Sequence, residues 1–281
     1  MSRPQNGWRV LAGVALAALT LSASSARAAD AVDVELVLAV DVSLSMSPME
    51  LEIQRDGYAA ALTDDKVIEA IRSGYHGQIA ITYFEWAGAT TQRIIVPWTI
   101  IAGKEDAERV ARQLTAAPPN SARRTSISGA LEYGSDLLAE SPFRGVKRVI
   151  DISGDGPNNQ GPPVDATRDQ LAVQGITVNG LPLMTNGGIT SAYDVDELDR
   201  YYADCVITGP GAFVVPVNDW SQFPEAIRRK LVLELASVGS PLRAADEAAN
   251  PPVLQAQVTS KYDCLIGEKL WRDRSWIWDA R

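Results

Sequence analysis

Cysteine and histidine are almost absent from this sequence, and each scarcity closes off a class of chemistry. Two cysteines in 281 residues, Cys205 and Cys264, cannot build a disulfide framework. A chain this long buries enough core to do without one. An even pair in an oxidising compartment can still join, which would tie the C-terminal tail to the main domain. Two buried thiols are the other reading, because sequence does not give the separation of the Cα atoms. The single histidine, His76, lies near Gly74 and Gly77 and reads as loop. A serine hydrolase would need it as its base, and no Gly-x-Ser-x-Gly elbow accompanies it. Basic residues are outnumbered, 26 Lys and Arg against 35 Asp and Glu. An acidic surface repels nucleic acid and anionic membranes and favours cationic partners or metal ions. Repeats at solenoid periods are also missing.

Apolar runs of membrane-spanning length are lacking too. The longest, Val10 to Leu21, is too short to cross a bilayer comfortably. Arg3 and Arg9 precede it, and Ala26-Arg27-Ala28 follows with small residues at −3 and −1. This is the order of a secretory signal peptide, so residues 1–28 are expected to be cleaved near Ala28 and the chain to be periplasmic or secreted. No cysteine stands directly after the apolar run, so no lipid anchor is expected, and no membrane anchor after cleavage. Cleavage removes Arg3, Arg9 and Arg27 and no acid, which moves the net charge from −9 to −12.

What is present from Val32 onward is an alternation of strand-like and helix-like segments, the pattern of a mostly parallel sheet with helices on both faces. Val34 to Val40 is an almost unbroken apolar run, suited to a strand buried on both sides. Residues 78–84 and 93–98 are two further strands. The few residues between them cannot hold a crossover helix, so they should pair antiparallel, with Pro97 favouring the sheet edge. Helices are expected over 104–116, 127–139, 164–174, about 194–203 and 221–236, and strands over 146–152, 176–183 and 212–217. Residues 237–281 read as a Gly/Ser/Pro/Ala-rich linker followed by a tail with Trp271, Trp276 and Trp278. Aromatics at that density are usually docked on something.

Oxygen-bearing side chains concentrate at three places in this pattern. The first strand runs into Asp41-Val42-Ser43-Leu44-Ser45, whose alternating polar residues on a tight turn can aim three oxygens at one spot. Ser47-Pro48-Met49-Glu50 then reads as a capped helix start, with Ser47 as N-cap and Glu50 completing a capping box. Leu51, Tyr58 and Leu62 supply the apolar stripe of that helix. Arg124-Thr125-Ser126 precedes the helix at 127–139, and Ser153-Gly154-Asp155-Gly156 ends the fourth strand. Open α/β sheets bring such loops together at one crevice. Hydroxyls from Ser43, Ser45 and Thr125, with Asp41 and Asp155 near, suit a hard cation such as Mg²⁺ and leave a position open; Mn²⁺ or Ca²⁺ could substitute. Asp151 is a rival acid, but strand alternation can send it elsewhere. Glu85 and Trp86 end the second strand and, with Asn158, are candidates for the rim that meets a ligand. Asn159 shares that loop and otherwise reads as turn chemistry. Asp194, Asp196 and Asp199 lack calcium-loop spacing and read as a solvated helix face.

The pattern Asp-x-Ser-x-Ser, a later Thr and a later Asp-Gly after a strand resembles the metal-ion-dependent adhesion site of von Willebrand factor A domains. The resemblance covers about residues 32–236. It implies a doubly wound, mostly parallel six-stranded sheet of order 3-2-1-4-5-6 with one antiparallel edge strand. It also implies direct metal ligation by Ser43, Ser45 and Thr125, with Asp41 and Asp155 acting mostly through water. One residue departs from the pattern, since Gly154 is interposed between Ser153 and Asp155. The stretches Gly154 to Asn159 and Gly209 to Phe213 resemble an exported bacterial subgroup of these proteins, which implies fold and metal and names no ligand.

The expected function is binding of a dication and, through its open position, of a carboxylate on a protein or peptide partner. The competing class is a metal-dependent, phosphatase-like hydrolase with Asp41 as nucleophile. Such enzymes want a second acid two residues on, and that position is Ser43. A third class is a structural domain in which the metal only stabilises the fold.

Overall fold

The computed structural model of the chain describes residues 29–185, 195–235, 254–255 and 262–274. The signal-peptide segment, Tyr193, Asp194, Trp276 and Trp278 lie outside the described residues. Strand β1 (Asp30–Asp41) occupies the middle of the sheet and is buried without interruption from Leu36 to Asp41. It pairs in parallel with β2 (Ile79–Trp86) on one side and β4 (Phe143–Gly154) on the other. Strand β3 (Gln92–Ile101) closes one edge antiparallel to β2, and there the missing N–H of Pro97 breaks no central ladder. Strands β5 (Thr177–Pro182) and β6 (Phe213–Val214) continue in parallel beyond β4. The order of these six is thus 3-2-1-4-5-6, as the family resemblance implies. A two-residue β7 (Leu254–Gln255) adds to β6 antiparallel, inside the stretch expected to be linker. A pair of residues carries no alternation that a sequence reading could detect.

Alternation along β1 builds two cores. Leu36, Leu38 and Val40 face one layer, formed by α1 (Pro48–Leu62), α2 (Asp65–Arg72), α3 (Lys104–Ala116) and α7 (Phe223–Leu235). Val37 and Ala39 face the other, formed by α4 (Ile127–Ala139), α5 (Val164–Val173) and α6 (Leu198–Tyr201), whose chain passes into a π-turn over Tyr202–Val206. Helix α2, capped by Asp64 and buried through Val67, Ile68 and Ile71, has no counterpart in the sequence expectation. The helix expected around 194–203 shortens to one turn before the π-turn. Helix α8 (Ile266–Arg274) stands in the tail. Among the described residues no helix is long and apolar enough to cross a membrane.

One contact shows how closely the α1/α7 layer is packed. A Cβ on Gly57 would lie 2.6 Å from Cδ1 of Phe223, a fully buried ring at the start of α7 that also meets Tyr58 edge-on. Helix propensity alone would make Gly57→Ala stabilising by about 1 kcal/mol. Here overpacking should win, and the substitution should cost about 1–3 kcal/mol in chemical denaturation. A stabilised variant would contradict this packing.

Candidate metal centre

Asp41 ends β1 at the place where the chain's connections begin to leave in opposite directions, toward β2 on one side and β4 on the other. That is where open α/β sheets hold ligands. Its Oδ1 accepts the Ser43 N–H at 2.7 Å, closing the turn. The Ser43 and Ser45 hydroxyls lie 2.8 Å apart. Ser45 in turn donates to Asp155 Oδ1 at 2.8 Å, across 110 residues of sequence. One run of oxygens therefore joins the end of β1 to the end of β4. The loop is pinned from behind, since Ser47 and Glu50 complete a reciprocal capping box at the start of α1. Gln54 Nε2, on the same helix, donates to the Asp41 carbonyl at 3.1 Å.

The Thr125 loop reaches the same place by backbone pairing. Leu44 N–H donates to the Ala122 carbonyl at 2.9 Å, and Ala122 N–H to that of Val42 at 3.1 Å. Ser126 caps α4 through Gly129 N–H and donates its own N–H to the Ala87 carbonyl. Asn159 ties this loop to the third. Its Oδ1 accepts Thr125 N–H at 3.0 Å, and its N–H donates to the Thr125 carbonyl at 2.8 Å. The sequence reading left Asn159 between turn chemistry and ligand contact and did not find this clamp.

Asp41 is fully buried, and its Oδ2 has no hydrogen-bond partner. Burial, and then the charge of Asp155, push its carboxyl well above the usual carboxylate range. The floor beneath is equally unsatisfied. Any side chain at Gly154 would come within 3.0 Å of Asp41 Oδ2, 2.9 Å of the Tyr202 hydroxyl and 3.3 Å of the Trp86 ring. The Tyr202 hydroxyl and Trp86 Nε1 are buried without partners, and burial drives the Tyr202 hydroxyl far up. A lone carboxylate oxygen beside a second acid and two hydroxyls fits a small, hard cation. Among the described residues no group of three or more Asp, Glu, His or Cys side chains is placed to hold a metal ion; the donors here are serine hydroxyls and two carboxylates, which are hard.

The three expected rim residues are not at the rim. Glu85 is 1% exposed and pairs with Arg55 of α1, which also donates to the Ala117 and Pro118 carbonyls. It holds α1 to β2, because its place in the strand aims it into the α1/α3 layer. Trp86 is buried as floor. Asn158 is buried too, with Oδ1 accepting from Ser128 N–H and Oγ, and Nδ2 donating to the Pro162 carbonyl and to Glu268. Asp151, turned away by alternation, pairs with Lys230 of α7. Cys205 and Cys264 form a disulfide, with Cα atoms 5.5 Å apart.

The fold is that of von Willebrand factor A-type domains. Solved structures with this fold include proximal thread matrix protein 1 of the mussel byssus, in a form with a zinc-occupied MIDAS motif (16% identity over 73% of this chain and 48% of that one, TM-score 0.51). They also include the pilus adhesin SpaC of Lactobacillus rhamnosus GG (13%, 72% and 31%, TM-score 0.53). A von Willebrand factor type A protein of Catenulispora acidiphila is comparably similar (14%, 72% and 42%, TM-score 0.50). Less than half the length of each is spanned by this chain. Comparison with curated proteins gives no match. The chain belongs to the family described as "Protein of unknown function (DUF1194)", which matches residues 31–239.

Proposed function

We propose that this protein binds a divalent cation at Asp41, Ser43, Ser45, Thr125 and Asp155, and through it a carboxylate of a protein or peptide partner. The observation that carries the reading is the buried Asp41 carboxyl, its Oδ2 without a hydrogen-bond partner, at the end of β1 beside the run of oxygens from Ser43 through Ser45 to Asp155. Mg²⁺ is the leading ion, since hydroxyls and carboxylates are hard donors, with Mn²⁺ and Ca²⁺ as substitutes. A bound dication would supply Lewis-acid attraction for one partner oxygen. The chain's own part is to hold the hydroxyls in place and to bring no more than two carboxylates to the ion, so that the site carries no excess negative charge against a partner carboxylate.

Recognition is favoured over catalysis. The Asp41 carboxyl is buried, with Oδ1 engaged by the Ser43 N–H, so it is badly placed to attack a phosphate ester. Export is part of the proposal and is supported by the Arg3, Arg9 and Ala26-Arg27-Ala28 pattern and by a disulfide that suits an oxidising compartment. Calorimetry should show Mg²⁺ uptake by the parent and none by Ser43→Ala. Capture of envelope proteins should then require Mg²⁺ and fail in chelator. A partner retained equally in Mg²⁺, in chelator and by Ser43→Ala would overturn the metal bridge.

A further inference from the structure

Two of the three site loops are touched from outside by a segment more than a hundred residues away in sequence. Asn158, next to the Asn159 clamp, donates from Nδ2 to Glu268 Oε1 at 2.7 Å. Its carbonyl lies so close to Gly267 that a Cβ there would sit 2.0 Å from the oxygen. Only a glycine lets α8 lie this near the loop. Four residues after Gly267 along α8, the Trp271 ring takes the Arg124 guanidinium at 3.5 Å from its centroid. Arg124 immediately precedes Thr125 and holds a left-handed φ of 77°, one of two non-glycine residues among those described to do so. Such a conformation persists only where its surroundings enforce it. The segment itself is fastened by the Cys205–Cys264 disulfide, by Tyr262 N–H donating to Asp204 Oδ2, and by the Tyr262 ring against Tyr201. Tyr201 closes the circuit, because its hydroxyl accepts the Asn158 N–H at 3.1 Å.

We infer that α8 is a positioning element of the metal site, with Glu268 and Trp271 setting the loops that carry Asp155 and Thr125, and the disulfide keeping the helix in place. The inference rests on the metal reading above and adds residues to it that touch neither metal nor ligand. The chemistry of Glu268 supports a demanding role. A carboxylate accepts the Asn158 amide more strongly than a neutral group does, yet its Oε2 is buried without a partner. A segment that merely covered surface would not need a half-buried acid. Groups that orient a ligating loop typically change metal affinity by 10–100-fold when removed.

The test compares the full chain with Glu268→Ala, Trp271→Ala, Glu268→Gln and the paired Cys205→Ser/Cys264→Ser variant. It measures Mg²⁺ affinity by calorimetry, melting in chelator, and amide hydrogen exchange at Thr125 and Asn159 in chelator. Both alanine variants and the cysteine pair are expected to weaken Mg²⁺ by about tenfold and to speed exchange at those two amides. Glu268→Gln, which keeps an acceptor for Asn158, should restore most of the affinity. The alanine variants should melt in chelator close to the parent, which separates positioning from general stability. A parent that binds Mg²⁺ while every variant binds as tightly, with unchanged exchange, overturns the positioning role alone. A parent that takes up no Mg²⁺ overturns the metal reading beneath it.

Discussion

Replacing Asp41 with asparagine is expected to abolish stabilisation by Mg²⁺ and, at neutral pH in chelator, to make the protein more stable than its parent. Both effects follow from one buried carboxyl. In the metal-free fold, burial and the Asp155 charge hold the Asp41 carboxyl well above its ordinary value of 3.8. The folded state therefore binds this proton more tightly than the unfolded chain does. Ionised Asp41 costs stability above the raised value, and the cost fades as pH falls through it toward 3.8. Asparagine removes the charge while keeping an oxygen for the Ser43 N–H, which now sits 2.7 Å from Oδ1. Mg²⁺ reverses the preference, since it favours the ionised form. At a concentration about a hundred times its dissociation constant, a ligand stabilises by about 2.7 kcal/mol. For a domain of this size that is roughly 5–10 °C in melting temperature. Thermal scans with Mg²⁺ and with chelator should show that shift in the parent and none in Asp41→Asn. An equal shift in both would remove Asp41 from the site.

The first loop was legible in sequence because every signal there is local. Asp41, Ser43 and Ser45 stand at fixed spacing after an apolar run, and the Ser47/Glu50 box marks where the helix must begin. Pro97 and the short turn before it likewise predict the antiparallel edge. What sequence hid depends on partners distant in the chain. Glu85 at a strand end suits a rim until Arg55, thirty residues earlier, is seen beside it. Asn158 looks like turn chemistry until α8 arrives from beyond residue 262. Short elements were lost for another reason. Helix α2 has eight residues and β7 has two, too few turns or alternations to stand out. On α7, Lys230 and Glu234 have the spacing of an exposed i,i+4 pair, and nothing local reveals that both are buried.

That pair gives the second large effect. Lys230 and Asp151 are 0% and 1% exposed, and Lys230 Nζ lies 2.7 Å from Asp151 Oδ1 while also pairing with Glu234. Asn179 Nδ2 donates to Glu234 Oε1 at 3.1 Å, which links β4, β5 and α7. Two acids share one base, and burial followed by the Glu234 charge pushes the Asp151 carboxyl up to about 8. At neutral pH the cluster thus holds a proton and is close to neutral, as a water-free site demands. Lys230→Met leaves both acids without a cation and should cost about 3–5 kcal/mol. Adding Asp151→Asn and Glu234→Gln to that variant removes the stranded charges and should recover most of the loss. The raised Asp151 value also sets a pH dependence. Between about 4 and 8 the folded state keeps a proton that the unfolded chain has released, so stability falls as pH rises across that window. Denaturation in chelator at pH 5 and pH 8 should show this decline in the parent and a flatter profile in Asp151→Asn. Identical slopes in the two proteins would mean that no proton is shared, and Lys230 would then have to hold both carboxylates ionised.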